Sequence, residues 1–198
     1  MGRRSDHTRD ELRSLMLEAG HRQLEEVGLA RFSAREVAKQ VGYSVGTLYN
    51  VFGSYDELML ALNERTLRDW TRHLNAHLEL SSGGDRIATL VRGYFDFAQS
   101  NPNTWIAIYD YKTSDGRPAP EWYQAAVHDL MQVVAAEIAA ALPGVARETV
   151  EALARSLVAT VHGHCVFALY RTFNMLGETA PVEAALARVR ESLAAAAA

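Results

Sequence analysis

From Thr8 onward the apolar residues recur at helical intervals: Leu12, Leu15, Met16 and Ala19, then Leu24 and Val27. Steps of three and four put such residues on one face of an α-helix. Thr8 and Glu11 have capping-box spacing, in which a hydroxyl and a carboxylate take up the first free amides of a helix. Gly28 can adopt the left-handed conformation that ends one. The pattern predicts a helix over residues 8–27. Ser33 and Glu36 repeat the box, Val37, Ala38 and Val41 make a short apolar face, and Gly42 marks a second stop. Ser44 then caps a segment from Val45 to Val51, and Ser54 with Glu57 opens a long helix to Leu80.

Ser81-Ser82-Gly83-Gly84 reads as a linker. Beyond it Ile87, Leu90, Val91, Tyr94, Phe95 and Ala98 keep helical spacing until Asn101-Pro102 breaks it. The remaining pattern predicts an aromatic helix from Trp105 to Tyr111, a loop over 113–119 and a helix from Pro120 to Leu142. A further helix is expected from Arg147 to Phe173, then a loop over 174–181 and a last amphipathic helix from Val182 to Ala195. There is no strand-like alternation and no long internal repeat, so the expected fold class is all-α.

Composition narrows the class only a little. The 198 residues are 48% hydrophobic and 22% charged, which suits a globular chain and excludes a mainly disordered one. The single cysteine, Cys165, excludes an internal disulfide framework and fits a reducing compartment, so a cytoplasmic location is expected. No unbroken run of 18 apolar residues occurs and the charged N-terminus lacks an apolar signal core, so neither a membrane partner nor secretion is expected. The net charge of −4 is spread as +1 over residues 1–50, −2 over 51–80 and −3 over 81–198. The positive end is N-terminal, with Arg3, Arg4 and Arg9 first, and an asymmetry this small does not by itself point to a polyanion.

Residues 33–52 are more telling: a helix of about two turns, a glycine-containing turn and a second short helix make the helix-turn-helix spacing, whose second helix can enter a DNA major groove. Val37, Ala38 and Leu48 are expected to pack the two helices together, with Phe52 anchoring the far end. The stretch SAREVAKQVGYSVGTLYNVFGSYDELMLAL, residues 33–62, resembles the DNA-binding region of TetR-family transcriptional repressors. Val37-Ala38, Gly42, Gly46-Thr47-Leu48-Tyr49, Phe52 and Ser54-Tyr55-Asp56-Glu57-Leu58 carry the resemblance. It implies a helix-turn-helix domain over 1–53, a connecting helix over 54–80 and a helical ligand-binding and dimerisation domain over 81–198. It also implies a homodimer that binds double-stranded operator DNA and is released by a small-molecule effector.

The residues expected to face DNA are Ser33, Arg35, Ser44, Val45, Gly46, Thr47, Tyr49 and Tyr55. Hydroxyls and helix N-terminal amides suit phosphates, a guanidinium suits guanine, Val45 a thymine methyl, and Gly46 a close backbone approach. Tyr55 departs from the family, which commonly has Lys there, and a tyrosine releases no counterion. Arg3 and Arg4 could act as a basic arm in a minor groove.

In the C-terminal part, Trp70, Leu74, Trp105, Tyr109, Tyr123, Met131, His162 and Phe167 are the expected lining of a site for a hydrophobic or aromatic, near-neutral effector. Leu153, Leu157, Val161, Leu186 and Val189 lie on apolar stripes of two helices expected to meet their copies across a dimer axis. His73 and His77 share a helix face but lack a third ligand, and His162 and His164 point apart, so no metal and no cofactor is expected. Nothing resembles a catalytic triad, a phosphate loop or paired catalytic carboxylates. Two other readings stay open: a helical small-molecule binding protein or enzyme with a vestigial DNA-binding motif, and a DNA-binding regulator without a ligand.

Overall fold

The computed structural model describes residues 7–81, 84–114, 116 and 118–197, and among them every regular element is helical. Arg3 and Arg4 lie outside the described residues. Among the described residues ten α-helices follow one another: α1 (Arg9–Val27), α2 (Ala34–Gln40), α3 (Val45–Phe52), α4 (Tyr55–Leu80), α5 (Arg86–Ser100), α6 (Pro102–Asp110), α7 (Glu121–Ala141), α8 (Arg147–Leu169), α9 (Thr172–Leu176) and α10 (Pro181–Ala196). Contacts gather the chain into two compact units, Met1–Thr66 with Asn101–Tyr123, and Leu67–Ser100 with Gln124–Ala198.

In the first unit the capping box at Thr8 forms as its spacing requires: the Thr8 amide donates to Glu11 Oε2 at 2.7 Å and the Glu11 amide to Thr8 Oγ1 at 3.2 Å. Gly28 closes α1 at φ 72°, and a 3-10 turn at Leu29–Arg31, absent from the expected elements, leads to α2. Met16 and Leu24 of α1, Val37 and Ala38 of α2, Leu48 of α3 and Leu62 of α4 are fully buried in one cluster. α6 joins this unit by packing on α1. Asn103 Nδ2 donates to the Glu25 carbonyl at 2.7 Å, and buried Asn63 Nδ2 donates to the Ala107 carbonyl at 3.1 Å. The expected limits at 53 and 80 do not anticipate this grouping, because packing of distant segments leaves no local mark. α6 also starts earlier than expected, with Pro102 in its first turn, where a missing amide costs nothing.

In the second unit α8 packs against α10 and α5, and α10 against α5. Trp70 is buried, stacked on Phe97 with centroids 5.4 Å apart and edge-on to Tyr94 at 4.7 Å. Gly93 lets α4 approach α5, since a Cβ there would lie 3.1 Å from Leu74 Cδ2. Asp85 caps α5 through the Ala88 amide at 2.9 Å and also accepts from Arg190 of α10, and these bonds hold its carboxyl below the usual range. The continuous helix expected over 147–173 is instead broken: α8 ends at Leu169, Arg171 takes a left-handed conformation at φ 58°, and α9 follows. Neither glycine nor proline marks that break.

The stripe expected at the dimer axis is covered within one protomer. Leu157, Val161, Leu186 and Val189 are 3–5% exposed within a single protomer, and only Leu153 is half-buried. α8 and α10 turn these stripes on each other, so the side chains have no surface left for a symmetry mate. Leu157→Glu is therefore expected to place a carboxylate in a closed core, at a cost of several kcal/mol. The measurement is circular dichroism with sedimentation velocity: lost helix signal is expected, and a fully helical folded monomer would contradict this placement.

Candidate functional site

Among the described residues, two places are candidate sites, one in each unit. The first is built around α3. Ser33 Oγ accepts from the Glu36 amide at 3.4 Å, while its own amide donates to Gln23 Oε1 of α1 at 2.9 Å. The second half of that expected capping box is thus supplied by Gln23, and α1 fixes where α2 begins. Gly42 sits at φ 84°, a conformation that a side chain resists, and the Tyr43 amide reaches back to the Ala38 carbonyl at 2.9 Å. Ser44 Oγ then accepts from the Thr47 amide at 3.1 Å and pairs with Thr47 Oγ1 at 3.0 Å.

These constraints divide α3 into two faces. Leu48 and Phe52 are buried, and the Arg13 guanidinium lies 5.2 Å from the centre of the Phe52 ring. Ser44, Gly46, Tyr49 and Asn50 are exposed, as is Arg35 at the start of α2. Ser33, Val45 and Thr47 are half-buried, Val45 against the core. Tyr55 departs most from its expected place: it stands between Phe32 and Tyr111, each ring centre 6.2 Å from its own, and burial pushes its phenol up. Its ring belongs to the packing beneath the helix-turn-helix.

Sequence reasoning missed two groups here. Arg9 reaches α3, its Nη2 donating to the Asn50 carbonyl at 3.4 Å, and with Arg13 it puts two cations of α1 beside the exposed end of α3. Their spacing of four along one helix was the available signal. Asp56, in the first turn of α4, accepts from the Tyr111 hydroxyl, the Ser114 amide at 3.0 Å and the Ser114 hydroxyl at 2.6 Å. It pins the segment after α6 to the base of the helix-turn-helix, and no local pattern foretold that.

The second site is a cavity of about 40 Å³ in the other unit, lined by Leu74 of α4, Leu90, Val91 and Tyr94 of α5, Val134 and Ile138 of α7, Leu157 and Val161 of α8 and Val189 of α10, among others. Leu74 is the one expected ligand residue in its wall. Trp70 packs against Tyr94, and His162 Nδ1 pairs with the Tyr94 hydroxyl at 3.0 Å. Met131 is half-buried on α7 outside the lining, and Phe167 is 42% exposed against Phe173. Trp105, Tyr109 and Tyr123 are in the first unit, where Trp105 is fully buried against Tyr109 and burial pushes the Tyr123 phenol up to about 12. The expected aromatic residues are thus divided between the two units, and the cavity of the second unit is aliphatic. Cys165 is buried, which pushes its thiol up to about 12 and makes it an inert apolar residue.

The His73 and His77 rings lie 4.1 Å apart, and His77 Nδ1 is 2.9 Å from the His73 carbonyl. Among the described residues no group of three or more His, Cys, Asp or Glu side chains is placed to hold a metal. Burial lowers the affinity of His73 and His162 for a proton, with His77 adding to the effect at His73. A histidine harder to protonate in the folded chain stabilises the fold above its unfolded value of about 6.5, and that stability is lost as pH falls through the window below it. Acidification from pH 7 to pH 5 is expected to lower the melting temperature, and His73→Gln with His162→Gln to flatten the pH profile. A melting curve with the same pH dependence in both proteins would remove these histidines as the cause.

Comparison with known proteins accounts for both halves. Residues 16–62 match the model for bacterial regulatory proteins of the tetR family, and residues 87–193 match the tetracyclin repressor-like C-terminal domain. The HTH-type transcriptional regulator Mb1846 of Mycobacterium bovis is 27% identical over 126 residues, covering 62% of this chain and 51% of that protein. The chain thus spans about half the length of the curated relatives it matches. The fold is shared with the multidrug binding protein EbrR, solved with imidazole, at TM-score 0.65 and 23% identity over 94% of this chain and 95% of that one. It is also shared with BioQ, solved with its double-stranded DNA operator, at TM-score 0.61 and 20% identity over 92% and 98%. With the larger family model covering more than half of its length, the chain belongs to the TetR family of transcriptional regulators.

Proposed function

We propose that the protein is a transcriptional repressor that binds a two-fold symmetric operator as a homodimer and lets go of it when a small hydrophobic effector enters its C-terminal half. The observation that carries this reading is the division of α3, which spends Leu48 and Phe52 on the core and leaves Gly46, Tyr49 and Asn50 open beside Arg35, Arg9 and Arg13. A short helix so held can lie in a major groove, with the cations and hydroxyls on flanking phosphates. Ser33, Ser44, Val45 and Thr47 remain in this proposed surface through the α2 and α3 starts, and Tyr55 serves as its support. Residues 1–53 act as the reading head, 54–80 as the connector and 81–198 as the effector and dimer module. BioQ with its operator and EbrR with its ligand are the relatives that support the pairing of DNA and effector.

The dimer surface proposed is the outer face of α8. That helix is long and apolar enough by composition to span a membrane, yet only 22% of its most apolar stretch is buried. Ala152, Ser156, Ala159 and Gly163 repeat along its exposed side, with Phe167 and Tyr170 at the end. Small residues at steps of four and three let two helices approach closely, and this face replaces the buried stripe first expected to serve.

Selection of duplexes from a random pool by the purified protein tests the central reading: enrichment of an inverted repeat is expected, and no enrichment over bulk DNA would refute it. On the selected operator, Gly46→Ala separates fold from recognition. A Cβ at Gly46 would meet only Ser44 Oγ at 3.6 Å, so the variant is expected to fold with stability at least equal to the parent while losing operator affinity. Unchanged affinity by fluorescence anisotropy would take Gly46 away from the DNA. For the dimer, a Cβ at Gly163 meets nothing within 4 Å, so Gly163→Glu is expected to give a folded monomer by sedimentation. A folded dimer would remove this face from the interface.

A further inference from the structure

The cavity of the second unit shows what kind of molecule it can take. Its wall consists of leucine, isoleucine and valine side chains and one tyrosine. The tyrosine hydroxyl is the only polar side-chain group in that set, and it is turned to His162 Nδ1 at 3.0 Å. The Tyr94 ring is already in edge contact with Trp70. The space therefore offers no charge partner, and its one hydroxyl is already engaged by His162. We infer that this cavity is a binding site for an uncharged aliphatic group, and that it rejects cations and anions of the same size. This deepens the effector site proposed above and rests on that proposal for its link to DNA.

Three physical points carry the inference. Hydrocarbon transferred from water to a dry aliphatic wall gains free energy in proportion to the area covered, with no polar group to reproduce. An ion or an unpaired polar group entering the same wall loses its hydration and finds no replacement. The cavity's size sets a further limit. At about 40 Å³ it holds little more than a methyl or two, so a larger ligand must part the wall. Ile87 of α5, Val134 of α7 and Val158 of α8 are the half-buried members of the lining and so the ones with room to yield, whereas Leu74, Val161 and Val189 are closed in. A slender or branched alkyl group fits this geometry better than a flat ring.

The test uses an isosteric pair, 2,2-dimethylbutane and ethyltrimethylammonium, which share a skeleton and differ by one carbon replaced with a cationic nitrogen. The full chain, labelled on its Leu and Val methyl groups, is titrated with each and followed by NMR without DNA. Shifts at Leu74, Val161 and Val189 are expected with the hydrocarbon, and binding of the cation about 100-fold weaker or absent. Val158→Phe, which fills the cavity from its half-exposed side, should abolish the shifts while melting as a folded protein. Val134→Phe does the same from α7 and serves if the first variant is unstable. Equal binding of the cation, shifts that spare these methyls, or no shifts at all would overturn the inference. Operator affinity is then measured with the hydrocarbon present. Methyl shifts without operator release support the site and remove only its effector role.

Discussion

Eight residues make about two turns of helix, too few to hold their shape alone in water, and the whole N-terminal unit depends on what keeps α3 in place. The answer is the burial of Leu48 and Phe52, four apart, against the inner faces of α1, α2 and α4. Both sides of that contact are tightly fitted. Val37 and Ala38 leave α2 a surface small enough for α3 to lie on, and Met16 fills the space beneath. Gly42 and Ser44 then determine where α3 starts, one by turning the chain and the other by holding the Thr47 amide. The exposed residues inherit their positions from these buried ones.

Much of this was legible in the sequence because it is written locally. Thr8, Ser33, Ser44 and Ser54 each accept from an amide three residues on, and Gly28, Gly42 and Gly53 adopt the positive φ that ends a helix. Such devices act within one turn, so the order of residues reveals them. Where the sequence misled, the cause was a partner far along the chain. Gln23 takes the place of Glu36 at the Ser33 amide, Asn63 and Asn103 bring α6 to the first unit, and Asp56 gathers a loop more than fifty residues away.

The apolar stripes show a second kind of ambiguity. A stripe says that a face is covered and not by what. On α8, Leu157 and Val161 look as fit for a symmetry mate as Val158 or Ala159, and only the neighbouring α5 and α10 decide which are closed within one protomer. Aromatic residues misled for a related reason. Trp70 and Trp105 have polar tips that suggest a ligand, but their bulk makes them efficient fillers, and both are almost wholly enclosed. The site nearest to a ligand cavity is instead made of residues with nothing chemically distinctive about them.

Leu48 and Tyr49 are adjacent in sequence and opposite in circumstance: one is sealed, the other more than a third exposed. Neighbouring positions on this short helix are therefore under different physical constraints. Changes at Gly46, Tyr49 or Asn50 leave the interior untouched, so the outward surface is free to diversify among descendants that keep the same architecture. With α3 reading DNA as proposed, a new target sequence is within reach of a handful of outward substitutions, without passing through an unfolded ancestor.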